Sequence, residues 1–255
     1  MERRGFLRVV GGGVIAAATA SASGCAQQMP SSAVAAWRKA GGATDPRRRA
    51  MNDAVGPHPV RFGFVGTDRP QLLARHRAIA SEAWRIELVT PRTILESYKW
   101  LRVGAGEIAR HRDGISLLDP MVVWLDRFGL LDRDQAPAPD SFATTSQIEE
   151  FGNAMASTPG FLWMVTEGND RATQVEAGRA YVRVQLAATV HGLSMQPLSQ
   201  ALQEYPEQAK PYADIHRLLD APRPVNTVQM WARVGFAPAI GPAPRRGLDA
   251  HIVRT

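Results

Sequence analysis

Apolar positions along the chain recur with two periods, about two and about three to four residues, and these divide residues 60–235 into strands and helices. Val60-Arg61-Phe62-Gly63-Phe64-Val65 alternates and predicts a short strand. Thr67-Asp68-Arg69-Pro70 then caps a helix running towards Leu88, with Leu72, Leu73, Ile79, Ala80 and Ala83 on one face and Trp84 beside them. Thr90-Pro91 opens a second helix, expected to reach about His111, where Asp113-Gly114 ends it. Asp119-Pro120 opens a third, with Met121, Trp124, Leu125 and Phe128 turned inward and Gly129 after it. Residues 134–140, which hold Pro137 and Pro139, form a loop or internal boundary. The unbroken apolar run Phe161 to Val165 predicts a strand buried on both faces. The strongest helix runs from Asp170 to His191 and closes at Gly192; Ala172, Val175, Arg179, Val182, Leu186 and Val190 mark one side of it. Pro206 to Leu219 is a further helix, Val225 to Val234 a further strand, and Pro238 to Arg246 a tail rich in Pro and Arg. Few strands and many helices in irregular order place the chain in the α+β class.

The amino terminus departs from this pattern. Arg3, Arg4 and Arg8 precede a short stretch of Gly, Ala and Val that ends near Ser23. A basic start, a short apolar middle and small residues after it describe an export signal, and Arg3-Arg4 before Phe6-Leu7 resembles the twin-arginine motif. Residues 1–24 are therefore expected to be a signal peptide read by the twin-arginine translocase. Ala22-Ser23-Gly24-Cys25 resembles a lipobox, which makes Cys25 the candidate for lipidation; cleavage after Ala20 is the alternative. Residues 25–44 are small and polar, a tether, and 45–255 form the folded part. The protein is thus expected in the periplasm or anchored to a membrane as a lipoprotein.

Composition narrows the chemistry. The 255 residues carry a formal charge of +6, but part of it sits on the leader and the rest is scattered. No stretch interleaves Lys and Arg with aromatics, so no nucleic-acid partner is expected. Cys25 is the sole cysteine, which excludes an internal disulfide and a cysteine-based zinc site. His58, His76, His111, His191, His216 and His251 do not stand at ligand spacing, and no metal site is expected. Gly104-Ala105-Gly106-Glu107-Ile108-Ala109 matches a dinucleotide-binding pattern, with Asp126 about 20 residues on. Asp113-Gly114 and Asp119-Pro120 interrupt the space a crossover helix needs, and the segment before Gly104 reads as helix, so this match ranks low.

Several stretches, taken in order, resemble a known family. They are Gly160 to Thr166, Ala177 to Arg183, Gln196-Pro197-Leu198-Ser199-Gln200, Asn226 to Met230, Arg233-Val234-Gly235-Phe236 and Pro244-Arg245-Arg246. Trp84 to Glu87, Thr90-Pro91-Arg92 and Asp113-Gly114-Ile115 add to the match. Together they are similar to the nitroreductase-like family, in its exported Acg-type branch of FMN-binding oxidoreductases. The resemblance implies helices packed around a small, mainly antiparallel sheet, with FMN as the cofactor and transfer of a hydride or electrons to a small-molecule acceptor. It further implies that Arg245 and Arg246 hold the FMN phosphate, which suits their bidentate, charge-assisted donors. Ser199 and Gln200 become the candidate contacts to the flavin ring, the alternative being a plain turn between two helices. No catalytic residue is named, because the flavin supplies the hydride chemistry. After Asp45-Pro46-Arg47-Arg48 the chain departs from the family: a Pro-x-x-Asn-x-Gln-Pro-Trp type segment does not follow, and a block on the order of a hundred residues, the size of a small domain, is missing. The chain is then a shortened relative, in which a homodimer could rebuild the flavin site. The rival expectation is a non-catalytic exported protein that keeps part of the fold for binding or structure.

Overall fold

Asp45 starts the first helix. Its carboxylate accepts the Arg47 N–H at 2.8 Å, and Pro46 takes the first helical position, where no N–H is needed. The computed structural model describes residues 45–238 and 241–252; the leader with Arg3 and Arg4, and the tether with Cys25, lie outside the described residues. In chain order the elements are α1 (Pro46–Ala54), β1 (Arg61–Gly66), α2 (Pro70–Val89), α3 (Pro91–Lys99), β2 (Leu101–Val103), α4 (Gly104–His111), β3 (Ile115–Leu117) and α5 (Pro120–Arg127). They continue with α6 (Phe142–Ser157), β4 (Gly160–Glu167), α7 (Arg171–Val190), β5 (Ser194–Pro197), α8 (Ala209–Leu218) and β6 (Asn226–Gly235). The α+β class holds, with one four-stranded antiparallel sheet and one two-stranded pair. The described chain divides into two compact units, one of residues 45–86 and 152–238, the other of 87–151 and 241–252.

The first unit holds the sheet, in the order β1-β4-β6-β5. The apolar run of β4 places it second, between β1 and β6, where both faces are covered. On one face Phe64, Leu162, Met164, Ala232 and Val234 pack with Met51 and Val55 of α1 and with Ala180, Val184 and Ala188 of α7. On the other, the rings of Phe161, Trp163 and Trp231 surround His76 of α2 at centroid distances of 5.1, 5.2 and 5.8 Å. Gly63 of β1 lies opposite Trp163, and a Cβ there would fall 2.1 Å from the indole, so the ring occupies the space of the absent side chain. Two sequence expectations change in this unit. The stretch Ser194 to Pro197, which no sequence period marked, forms β5 against β6, because it finds its backbone partners on a distant strand, and the Ser199–Gln200 turn therefore follows a strand rather than joining two helices. The apolar side of α7 marked by Val175, Val182, Leu186 and Val190 is exposed, while Ala177, Ala180, Val184 and Ala188 are buried. Small side chains let the helix approach the sheet closely.

In the second unit the expected single helix from Pro91 to His111 is broken. α3 ends at Lys99, and β2 pairs in parallel with β3 across α4, with Leu101, Val103 and Leu117 all buried. Burial of residues two apart overrides helical propensity here. Gly114, with φ +72°, sits where a Cβ would meet the Trp100 carbonyl oxygen at 2.2 Å, so the strand pair turns tightly at that point. On α5, Val122 and Leu125 are buried, whereas Met121, Trp124 and Phe128 are exposed, contrary to the inward placement expected of them. With the unbroken apolar run Pro120 to Leu125, so short a helix offers no period to choose its face. α6 went unread in the sequence because its residues are mostly small or polar; the Thr144 N–H donates to Ser141 Oγ at its start. Among the described residues no helix is long and apolar enough to cross a membrane.

Candidate functional site

The turn after β5 carries Ser199 and Gln200. It is tied to the sheet by the Leu198 N–H, which donates to the Trp231 carbonyl at 2.8 Å, and closed by the Leu202 N–H donating to the Ser199 carbonyl at 2.9 Å. Leu198 is buried, Ser199 exposed and Gln200 half-buried; the Ser199 hydroxyl does not cap the turn that follows. Beside this turn, Arg233 of β6 donates through Nε to Gln196 Oε1 of β5 at 2.5 Å and through Nη1 to the Ala154 carbonyl at 3.4 Å. Arg233 is buried, so its guanidinium serves as a polar strut across the sheet edge. Sequence reasoning counted Arg233 within the family match without seeing this role.

Arg245 and Arg246 lie in the other unit, on an exposed stretch. Arg245 Nη1 donates to the carbonyl of Pro244 at 3.1 Å. Arg246 Nε stands 3.6 Å from Asp113 Oδ2, and Asp113 also accepts from Arg102 Nε at 2.9 Å. One carboxylate thus faces two guanidinium groups, Arg102 and Arg246. Exposed guanidinium groups of this kind are charge-assisted donors of the type an anion accepts. The two candidate pairs, Ser199 with Gln200 and Arg245 with Arg246, belong to separate units.

The Gly104-x-Gly106 pattern resolves differently from its motif. A strand, β2, does precede Gly104, so the helix expected there is corrected. Asp126, however, lies on α5 and pairs with Arg133 Nη2 at 2.7 Å, so it is not the ribose-binding acid at a strand end. Glu107 of α4 accepts the Val103 N–H at 2.6 Å and pairs with Arg133, so a side chain already occupies the place a phosphate would take. Burial opposes ionisation of Glu107, yet the Val103 N–H and Arg133 together hold its carboxyl below the ordinary range.

The histidines divide by environment. His58 Nδ1 meets Glu176 at 2.5 Å. His76 is fully buried and accepts the Trp231 indole N–H on Nδ1 at 3.1 Å. Burial first, and Arg75 second, push the His76 pKa down to about 3, so the ring is neutral across the ordinary pH range. His76 belongs to the aromatic core, and no sequence period marked it, because a histidine on a helix face reads equally well as surface. Among the described residues, no group of three or more His, Cys, Asp or Glu side chains could hold a metal ion.

No protein-family model matches the chain, and no curated protein does. Solved structures with a partial likeness include the FMN-dependent nitroreductase NfnB from Mycobacterium smegmatis in complex with NADPH, at 14% identity over 90% of each chain and a TM-score of 0.46. Another is the FMN- and NADPH-dependent nitroreductase NfnB from Sphigopyxis sp. strain HMH, at 17% identity over 82% of this chain and 87% of that one, with a TM-score of 0.43. A third is a nitroreductase-like family protein from Bacillus cereus, at 13% identity over 83% and 84% of the two chains, with a TM-score of 0.39.

Proposed function

We propose that the protein is an FMN-dependent oxidoreductase of the nitroreductase type, exported and acting on a small-molecule electron acceptor. One observation carries this reading. The sequence stretches that resemble the family fall in order on β4, α7, β5 with its turn, and β6, which are packed neighbours in one unit. In this reading Arg245 and Arg246 hold the phosphate, Ser199 and Gln200 contact the flavin ring, and the buried Arg233–Gln196 pair positions their turn. Bound FMN would supply the hydride chemistry; the chain supplies binding, orientation and control of solvent access. A homodimer belongs to the proposal, because Val175, Val182, Leu186 and Val190 place an exposed apolar stripe along α7 that a second copy would cover. Export through Arg3-Arg4, and lipidation at Cys25 or release into the periplasm, complete the reading.

The test is the visible absorbance of the protein purified after expression with its leader, with flavin released by heat as the check. About one FMN per chain or per dimer is expected, as in stoichiometric cofactor binding. Protein that stays colourless after incubation with FMN overturns the reading and favours the non-catalytic binding or structural protein.

A further inference from the structure

The outward side of α7 carries a gap that nothing in its own chain fills. Gly178 stands well inside this 20-residue helix, exposed, and a Cβ built on it would meet no atom within 4 Å. A glycine inside a helix gives up stability relative to alanine, because it loses more backbone freedom on folding. Neither a turn nor a close neighbour within the chain calls for one at this position.

Its surroundings are apolar. Val175, Gly178, Val182 and Leu186 follow one another at spacings of three, four and four residues, and so share one face of the helix. Val175, Val182 and Leu186 are exposed. Leu186, the largest apolar side chain of that face, and Gly178, the smallest residue, each lie four residues from Val182. A knob and a hole at equal distances on either side of one residue make the face complementary to itself when turned end for end.

We propose that α7 pairs antiparallel with α7 of a second copy across a two-fold axis at Val182, so that Leu186 of each copy fills the space over Gly178 of the other. This pairing rests on the homodimer proposed above and adds to it a direction, an axis and a central contact.

Charge selects the same direction as shape. α7 begins at the exposed Arg171, and in the antiparallel pair this arginine comes alongside the carboxyl end of the other helix, where the dipole is negative. A parallel pair would set Arg171 beside Arg171 and Gly178 opposite Gly178, with the space left empty in both copies. The antiparallel register also brings Val175 to Thr189, whose hydroxyl is already bonded to the Gln185 carbonyl at 2.9 Å and so adds no unsatisfied donor to the contact. Arg179, at the margin of the face, is paired with Glu176 at 2.6 Å on its own helix.

Cross-linking and sedimentation of the full chain test the axis and the contact, with Cys25→Ser throughout so that its thiol does not compete. Mild oxidation should link the Val182→Cys chain into a disulfide dimer, since a residue on a two-fold axis meets its own copy. The Val190→Cys chain should stay unlinked, because the two copies of that position lie about 24 Å apart along the helices. Gly178→Leu should weaken dimerisation at least about tenfold, with the circular dichroism of the chain retained, and adding Leu186→Ala to it should restore the dimer as knob and hole change places. A dimer indifferent to Gly178→Leu, a double variant that stays monomeric, a Val182→Cys chain that does not link or a Val190→Cys chain that links as readily each overturns the pairing and leaves the homodimer standing on other contacts. An unmodified chain that sediments as a monomer at every concentration overturns the pairing and the homodimer together, while flavin content is read separately from the absorbance.

Discussion

His76 is the residue at which pH and stability meet. Folded, its pKa is about 3; in the unfolded chain it returns to the ordinary value near 6.5. Between these values the unfolded state binds a proton that the folded state refuses. Stability is therefore complete above about pH 6.5 and falls as the pH drops towards 3, by up to about 1.4 kcal/mol per pH unit from this residue. Urea unfolding at pH 7 and pH 4 should register the loss, and His76→Phe should flatten it. That variant should also cost about 1–3 kcal/mol at pH 7, because the Trp231 indole N–H loses its acceptor. A pH dependence equal in both proteins would remove His76 as the cause. Arg245 tests the cofactor proposal at the same scale: Arg245→Ala should raise the Kd for FMN about tenfold, the loss of one charge-assisted contact, with the thermal midpoint of the flavin-free protein unchanged. An unaltered Kd would release Arg245 from the phosphate role.

Elements show where periodicity is informative and where it is mute. The caps at Asp45, Asp119 and Asp170 stand at helix starts, since a side-chain carboxylate satisfies free N–H groups locally. The buried centre of β4 was equally plain, as no polar residue interrupts Phe161 to Val165. α7 was ambiguous, because one side carries Val175, Val182, Leu186 and Val190 and another Ala177, Ala180, Val184 and Ala188. The more apolar side faces outward, and the side with smaller residues meets the sheet. If a second copy covers the outward side, Leu186→Glu should turn a dimer into a monomer in sedimentation, with the fold of each chain retained. A dimer that survives this change must be built elsewhere. On the sheet, Gly63→Ala would push a methyl into the Trp163 ring and is expected to cost about 1–3 kcal/mol by chemical denaturation. No cost there would mean that the indole has a second place to go.

At the scale of the whole molecule, the proposed flavin binding links to stability. A ligand that binds only the folded state stabilises it by about 2.7 kcal/mol at a hundredfold excess over its Kd, so FMN should raise the thermal midpoint of flavin-free protein. No shift at any concentration would agree with colourless protein and the loss of the cofactor site. The α+β class, the three longer strands β1, β4 and β6, the long helices α2 and α7, and the stretches on which the family resemblance rests were all present in the sequence, because turns, caps and unbroken apolar runs are local. The pairing of β2 with β3, the joining of β5 to β6, the buried side of α7 and the outward rings of α5 were decided only by tertiary structure. Each depends on partners distant in sequence, and a short or evenly apolar segment has no period of its own to choose among them. The same holds for His76, whose character comes from what encloses it, an indole donor and stacked rings.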